Sequence, residues 1–115
     1  MKIFNLRLRN ESARRKQYAV TFYVDWVLGE HRTGSRTHVV TERDAASGAL
    51  FARNRFRIDF SGRTAFMDLS PGQARTLTGD RTEFIGRNGT LARPAALSRV
   101  SLSDRTGAAL DPCGA

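Results

Sequence analysis

The first quarter of the chain alternates apolar and polar residues with a period of two. In Lys2–Arg9, Phe4, Leu6 and Leu8 share one face. In Gln17–Gly29 the alternation is unbroken over six large apolar residues: Tyr18, Val20, Phe22, Val24, Trp26 and Leu28. Successive side chains of a strand point to opposite faces, whereas a helix would scatter these residues around its circumference. Both segments are therefore predicted to be strands.

Shorter strands are predicted further along. Thr37–Glu42 and Ala49–Arg53 are predicted to form a hairpin around a turn at 44–48, Asp-Ala-Ala-Ser-Gly. Arg63–Leu69 predicts another strand, which ends at the Ser-Pro-Gly turn of 70–72, and Gln73–Thr78 predicts a further one. The intervening Glu30–Arg36 is interpreted as a charged loop.

Six or seven strands with almost no helix predict an all-β fold, an antiparallel β-sandwich. Its 115 residues suit a single domain, 1–115. The first strand begins almost at Met1, and the chain stops after Asp111 and Pro112 without a closing element. We therefore expect a fragment truncated at both ends, which self-associates through exposed sheet edges.

One short helical turn is predicted near 80–86. Asp80 at the N-cap and Glu83 three residues later form a capping pair, in which both carboxylates satisfy free amide donors. Gly86 is predicted to end the turn in a left-handed conformation, and the Asn-Gly pair at 88–89 to reverse the chain. Phe84 and Ile85 then anchor the turn on an apolar surface.

The charge of the chain suggests nucleic-acid binding at first. The net charge is +8, and the 19 basic residues include only two lysines, which leaves 17 arginines. However, the arginines are spread along the whole sequence, and no nucleic-acid-binding motif accompanies them. A solvated, arginine-rich surface is the favoured interpretation, and no nucleic-acid partner is predicted.

The cellular setting is predicted from absences. The longest apolar tract, Tyr18 to Leu28, is much shorter than a membrane span, and no signal-peptide core precedes it. Cys113 is the single cysteine, which excludes an internal disulfide and a multi-cysteine metal site. A cytoplasmic location follows as the expectation.

Candidate chemistry is sparse. Asp25 lies in the middle of a predicted strand, where it serves either as a catalytic acid or, more commonly, as the partner of an arginine on a neighbouring strand. His31 and His38 are seven residues apart with no third ligand at metal spacing. We predict no catalytic residue, no metal site and no cofactor.

Several blocks of the sequence resemble one family of carbohydrate enzymes. The Asp-Arg-x-x-Phe-Ile-Gly core at 80–86 is similar to that of cellobiose phosphorylases. The longer blocks are Tyr18–Gly29, Val39–Glu42, Gly48–Asn54, Thr78–Thr90, Pro94–Leu97 and Gly107–Cys113. Together they resemble the N-terminal β-sandwich region of glycoside hydrolase family 94, formerly glycosyltransferase family 36, in the version found in cyclic β-1,2-glucan synthases.

The resemblance implies a role beside a catalytic barrel. Such enzymes phosphorolyse β-glucosides in an (α/α)6 barrel, with a large galactose-mutarotase-like super-sandwich beside it, and the parent synthase is associated with the inner membrane. The chain would then be non-catalytic, with the barrel and a β-glucan as its partners. Arg81, Arg87 and Asn88 are the carbohydrate-binding candidates, because planar groups suit sugar hydroxyls. A stand-alone carbohydrate-binding module is the alternative.

Overall fold

The computed structural model describes residues 1–70 and 74–115, and its strands form two antiparallel sheets. The strands are β1 (Val24–Asp25), β2 (Val39–Arg43), β3 (Leu50–Asn54), β4 (Thr64–Met67) and β5 (Cys113–Gly114). One sheet pairs β1 with β5, and the other has the order β2-β3-β4. The prediction of an all-β, antiparallel fold is confirmed.

The predicted central hairpin is also confirmed, with limits shifted by one or two residues. Strands β2 and β3 pair with Arg43 opposite Leu50. At the turn between them, the backbone N–H of Gly48 donates to the carbonyl of Asp44 at 2.8 Å, and Gly48 adopts a φ of 74°. A left-handed backbone favours glycine, which explains why this residue ends the turn. Strand β4 lies inside the predicted Arg63–Leu69.

The two long N-terminal strands are the main error of the sequence prediction. Of residues 1–29 only Val24–Asp25 forms a strand, and 1–22 form neither strand nor helix. A strand requires a neighbouring strand for its backbone hydrogen bonds. Within the described ranges 1–70 and 74–115, no segment forms β-pairs with residues 1–22. The predicted strand Gln73–Thr78 is also absent over 74–78, and Pro71, Gly72 and Gln73 lie outside the described residues.

Short helices are more numerous than predicted. A helix α1 (Arg32–Ser35) and a 3₁₀ turn (Arg36–His38) replace most of the predicted loop. The predicted turn near 80–86 is helix α2 (Arg81–Ile85), and further 3₁₀ turns lie at Ile58–Phe60 and Ala95–Ser98. Across the described parts of the chain, no helix has the length and apolar character needed to cross a membrane.

The core is divided into two apolar clusters that meet at strand β5. One cluster contains Phe84, Ile85, Cys113 and Ala115, and the other contains Trp26, Val39 and Ala52. Residues 113–115 lie between β1 on one side and residues 78–79 on the other: Cys113 N–H donates to the carbonyl of Gly79, and Ala115 exchanges two backbone bonds with Thr78. The C-terminal segment 113–115 therefore connects β1 to residues 78–79 through backbone hydrogen bonds.

Candidate functional site

Helix α2 has the cap and the stop that its sequence predicts. The side chain of Asp80 accepts from the backbone N–H of Thr82 at 3.0 Å, and its other oxygen lies 3.1 Å from Arg105. Gly86 has a φ of 94° at the C-terminal end. The N–H of Gly89 then donates to the Gly86 carbonyl at 3.2 Å, which closes the predicted reversal. The turn is therefore held in a single shape from both ends.

The predicted role of Glu83 in the capping pair is wrong. The amide of Asp80 donates to the hydroxyl of Thr78 instead. The carboxylate of Glu83, whose side chain is 7% exposed, accepts from Thr78 at 2.7 Å and from both the amide and the hydroxyl of Ser103, at 2.9 and 2.6 Å. Ser103 lies twenty residues from Glu83 in the sequence. The capping rule considers only residues within one helical turn, so it could not predict this contact. Glu83 fastens α2 to the segment around residue 103.

The hydrogen bonds of Glu83 make it sensitive to pH. Burial raises the pKa of this carboxyl, but the bonds from Ser103 and Thr78 outweigh burial and hold the pKa below its ordinary value of 4.5. A depressed folded-state pKa stabilises the fold above the unfolded-state pKa, and this stabilisation is lost as pH falls through the folded-state value.

We expect Glu83→Gln to be less stable than the parent chain at pH 7, and the difference to shrink steadily below pH 4.5. Urea unfolding across a pH series measures it. The control is Glu42→Gln, because Glu42 is exposed and forms only a surface ion pair with Arg53, at 2.9 Å. Equal pH dependence in both variants would contradict the assignment.

A half-buried charged cluster lies at the N-terminal end of α2. It consists of Tyr23, Asp25, Arg32, Arg81 and Asp111. Arg32 lies 2.8 Å from Asp111 and 3.3 Å from Asp25. Arg81 lies 3.7 Å from each of the same two carboxylates. The phenol of Tyr23 donates to Asp25 at 2.6 Å. Each aspartate therefore faces two guanidinium groups.

This cluster decides between the two interpretations of Asp25. Its carboxylate is the partner of arginines, as the more common alternative predicted, although Arg32 belongs to α1 and Arg81 to α2 rather than to a neighbouring strand. Chemically the cluster is a set of mutually satisfied ion pairs that joins β1, α1, α2 and the C-terminal segment. Arg32 and Asp111 were missed because 79 residues separate them.

The three predicted carbohydrate-binding residues lie in different surroundings. Arg81 is half-buried in the charged cluster. Arg87 and Asn88 are exposed on the reversal that follows α2. The structure therefore brings Arg87 and Asn88 together on one turn, while the guanidinium of Arg81 is directed towards Asp25 and Asp111. Of the three candidates, Arg87 and Asn88 are therefore the exposed ones.

Two other reactive side chains, a thiol and an imidazole, lie away from the charged cluster or are buried. Burial, reinforced by the negative charge of Asp25, raises the pKa of the Cys113 thiol to about 12, so it remains protonated at neutral pH. His38 stacks on Phe56 with ring centroids 4.0 Å apart. Within 1–70 and 74–115, no group of three or more potential metal ligands comes together. Near α2, the described structure presents a charged surface whose carboxylates and arginines are paired with one another.

Two comparisons with known proteins each match essentially the whole chain. The family model described as the supersandwich domain of glycosyl hydrolase 94 matches residues 1–115. The cyclic beta-(1,2)-glucan synthase NdvB of Rhizobium meliloti (strain 1021) is 36% identical over 115 residues, which is 99% of this chain. The chain spans 4% of the length of that relative.

Proposed function

Because the chain belongs to the glycosyl hydrolase 94 supersandwich family, we propose that it is a non-catalytic β-sandwich element of a cyclic β-1,2-glucan synthase or related glycoside phosphorylase. Its role is to support an (α/α)6 catalytic barrel carried by the parent enzyme and to border the sugar site of that barrel. The observation that carries the proposal is 36% identity across nearly the whole chain to a much longer glucan synthase.

The pairing of the charged side chains near α2 supports a non-catalytic role. General acid–base catalysis needs a carboxyl group within reach of a substrate proton. In the charged cluster, Asp25 and Asp111 are both engaged by Arg32 and Arg81, and Glu83 is held by Ser103 and Thr78. These carboxylates are therefore occupied in holding the fold together.

Arg87 and Asn88 are the residues that we propose to border the sugar, with Arg81 holding the turn behind them. Both are exposed on a reversal that is closed by a backbone bond and preceded by a capped helix. A planar guanidinium and a planar amide present several donors and acceptors in fixed directions. Mounting them on a rigid turn reduces the conformational entropy lost on binding.

The non-catalytic assignment predicts a negative result. Incubated alone with β-1,2-gluco-oligosaccharides and inorganic phosphate, the chain should release no glucose 1-phosphate, because the proposed catalytic groups belong to the barrel. The release is measured with a coupled enzymatic assay, and an active glycoside phosphorylase with its own substrate verifies that the assay works. Any release above the protein-free blank would overturn the assignment.

A stand-alone carbohydrate-binding module is the second candidate function, favoured by the exposure of Arg87 and Asn88 on a rigid turn. An NMR titration with β-1,2-gluco-oligosaccharides distinguishes the two. A module that binds alone would show amide shifts around residues 81–90 that disappear in the double variant Arg87→Ala/Asn88→Ala. Unchanged spectra at millimolar sugar would remove this candidate and leave the supporting role.

We also propose that the barrel-bearing remainder of the parent enzyme is the main partner of the chain, and that the setting is cytoplasmic. Self-association of the isolated chain through exposed sheet edges is part of the same proposal. Strand β4 offers one such edge, since its single neighbour among the described residues is β3. Unpaired backbone groups on an edge strand favour pairing with another chain.

A further inference from the structure

Asn88 is the single asparagine of the chain that precedes a glycine. The chain has four asparagines, and the residues that follow the other three are Leu6, Glu11 and Arg55. Glycine has no side chain, so nothing on Gly89 shields its backbone nitrogen from the carboxamide of the preceding residue. A carboxamide carbon beside an unshielded backbone nitrogen is the starting point for closure of a cyclic imide.

The surroundings of Asn88 also differ from those of two other asparagines. Asn54 is 0% exposed, and its carboxamide donates to the carbonyl of Leu28 at 2.9 Å. The carboxamide of Asn10 donates to the carbonyl of Arg14 at 2.7 Å. Asn88 is exposed on the reversal after α2, and no group in the described ranges 1–70 and 74–115 holds its carboxamide by a hydrogen bond. Its side chain is therefore able to rotate towards the next backbone nitrogen.

That nitrogen, of Gly89, is restrained by one hydrogen bond. Its N–H donates to the carbonyl of Gly86 at 3.2 Å, which is at the long end of the usual range. The nitrogen attacks a carboxamide only after it has lost this proton, so the bond to Gly86 has to open first. Exposed turns with few buried contacts open at a low free-energy cost. The reversal therefore slows the reaction of Asn88 without preventing it.

We propose that Asn88 is a site of spontaneous deamidation, gated by opening of the reversal. The deprotonated nitrogen of Gly89 bonds to the carboxamide carbon of Asn88. The bond from that carbon to the amide nitrogen breaks, and ammonia leaves with the proton. A water molecule then opens the cyclic imide at either carbonyl, which gives aspartate or isoaspartate. Water is the co-reactant, ammonia is the by-product, and nothing is oxidised or reduced.

The products change the charge and the shape of the reversal. Both replace a neutral carboxamide by a carboxylate and so lower the net charge of +8 by one. Isoaspartate also adds a methylene to the backbone. The reversal approaches α2 too closely to absorb it, since even a Cβ on Gly89 would lie 1.9 Å from the carbonyl oxygen of Ile85. The isoaspartyl form should therefore lose the bond between Gly89 and Gly86.

The reaction goes beyond the proposed function and does not depend on it. If Asn88 borders a sugar, deamidation removes one of the two exposed planar groups of the reversal. The chemistry at Asn88 is the same whether or not a sugar binds. The NMR titration and the phosphate-release assay therefore test the proposed function separately.

Peptide mapping by mass spectrometry during incubation in isotopically labelled water tests the site. We expect deamidation to accumulate at Asn88, with a labelled oxygen incorporated and isoaspartate among the products. The internal controls are Asn5, which is exposed but precedes Leu6, and Asn54, which is buried and hydrogen-bonded. Both should keep their carboxamides. In Asn88→Gln, whose longer side chain disfavours the same ring closure, position 88 should remain unmodified.

Unfolding and a strained variant test the gating. In urea that unfolds the chain, deamidation of Asn88 should be about two- to tenfold faster than in the folded chain, the factor that corresponds to one net hydrogen bond. Gly86→Ala should move the folded rate towards the unfolded one, because alanine disfavours the φ of 94° at this position. The matched control is Gly34→Ala, where a Cβ would meet no atom within 4 Å, and it should leave the rate unchanged. Trp26, the single tryptophan and 7% exposed, reports by fluorescence that each variant is folded.

Two results would overturn the proposal. An unmodified Asn88, or equal conversion at Asn5, would show that the pair of Asn88 and Gly89 is not a preferred site. Equal rates in the folded and the unfolded chain would show that the hydrogen bond of the reversal does not gate the reaction. The urea comparison requires no substitution, so it decides the gating even if Gly86→Ala does not fold.

Discussion

Phe84→Ala is expected to lower the free energy of unfolding by about 3–5 kcal/mol, the range for removing a buried aromatic side chain. Phe84 is 3% exposed and packs with Ile85, Cys113 and Ala115 in one of the two core clusters. Its ring also stacks on Tyr23 with centroids 4.8 Å apart. Domains of this size are stable by only about 5–15 kcal/mol, so the variant would lose a large share of its stability. Urea unfolding followed by circular dichroism measures the loss.

Phe66→Ala is the matched control for this variant. Phe66 lies on β4 and is 53% exposed, so the same chemical change leaves no buried cavity. Its cross-strand neighbour is Phe51, and such pairs are worth about 0.2–1 kcal/mol. A loss in Phe66→Ala equal to that in Phe84→Ala would show that α2 is not anchored in the core as described.

Gly89→Ala is expected to cost about 3 kcal/mol, the upper part of the usual range for overpacking. A Cβ atom on Gly89 would lie 1.9 Å from the carbonyl oxygen of Ile85 and 2.9 Å from its carbonyl carbon. These are backbone atoms at the end of α2, so the clash cannot be relieved by a change of rotamer. Either the reversal opens or the last turn of α2 moves, and both disturb the attachment of Ile85, which is 1% exposed. Thermal and urea unfolding measure the loss.

The control for Gly89→Ala is Gly34→Ala. Gly34 lies in α1, and a Cβ there would meet no atom within 4 Å. Alanine is favoured over glycine in helices by about 0.5–1 kcal/mol, so this variant should be as stable as the parent chain or slightly more so. If Gly89→Ala were equally neutral, the tight approach of the reversal to α2 would be refuted.

Elements formed by near neighbours in the sequence were predictable. The β2–β3 hairpin depends on a short turn between two alternating segments, and the structure differs from the prediction only at its limits. The capped turn of α2 depends on Asp80, Gly86 and Gly89, all within ten residues. In both cases the groups that satisfy the backbone lie within one or two turns of the chain, so residue type and spacing were sufficient.

Elements formed between distant segments were not predictable. Strand β5 has no pattern of its own, and it exists because β1 and residues 78–79 offer backbone partners on both sides. Residues 1–22 show the converse, since their alternation is strong but no described segment of the chain pairs with them. Period-2 patterning states which side chains share a face, but it does not provide the neighbouring strand that supplies the hydrogen bonds.

The candidate site divides in the same way. The sequence alone determined the all-β class, the capped turn and the family resemblance, because these depend on local propensity and on the order of residue types. Only the tertiary structure decided that Asp25 pairs with Arg32 and Arg81, that Glu83 binds Ser103, and that Arg87 and Asn88 remain exposed. Ion pairs and buried hydrogen bonds join groups that are close in space, and chain separation carries no information about that distance.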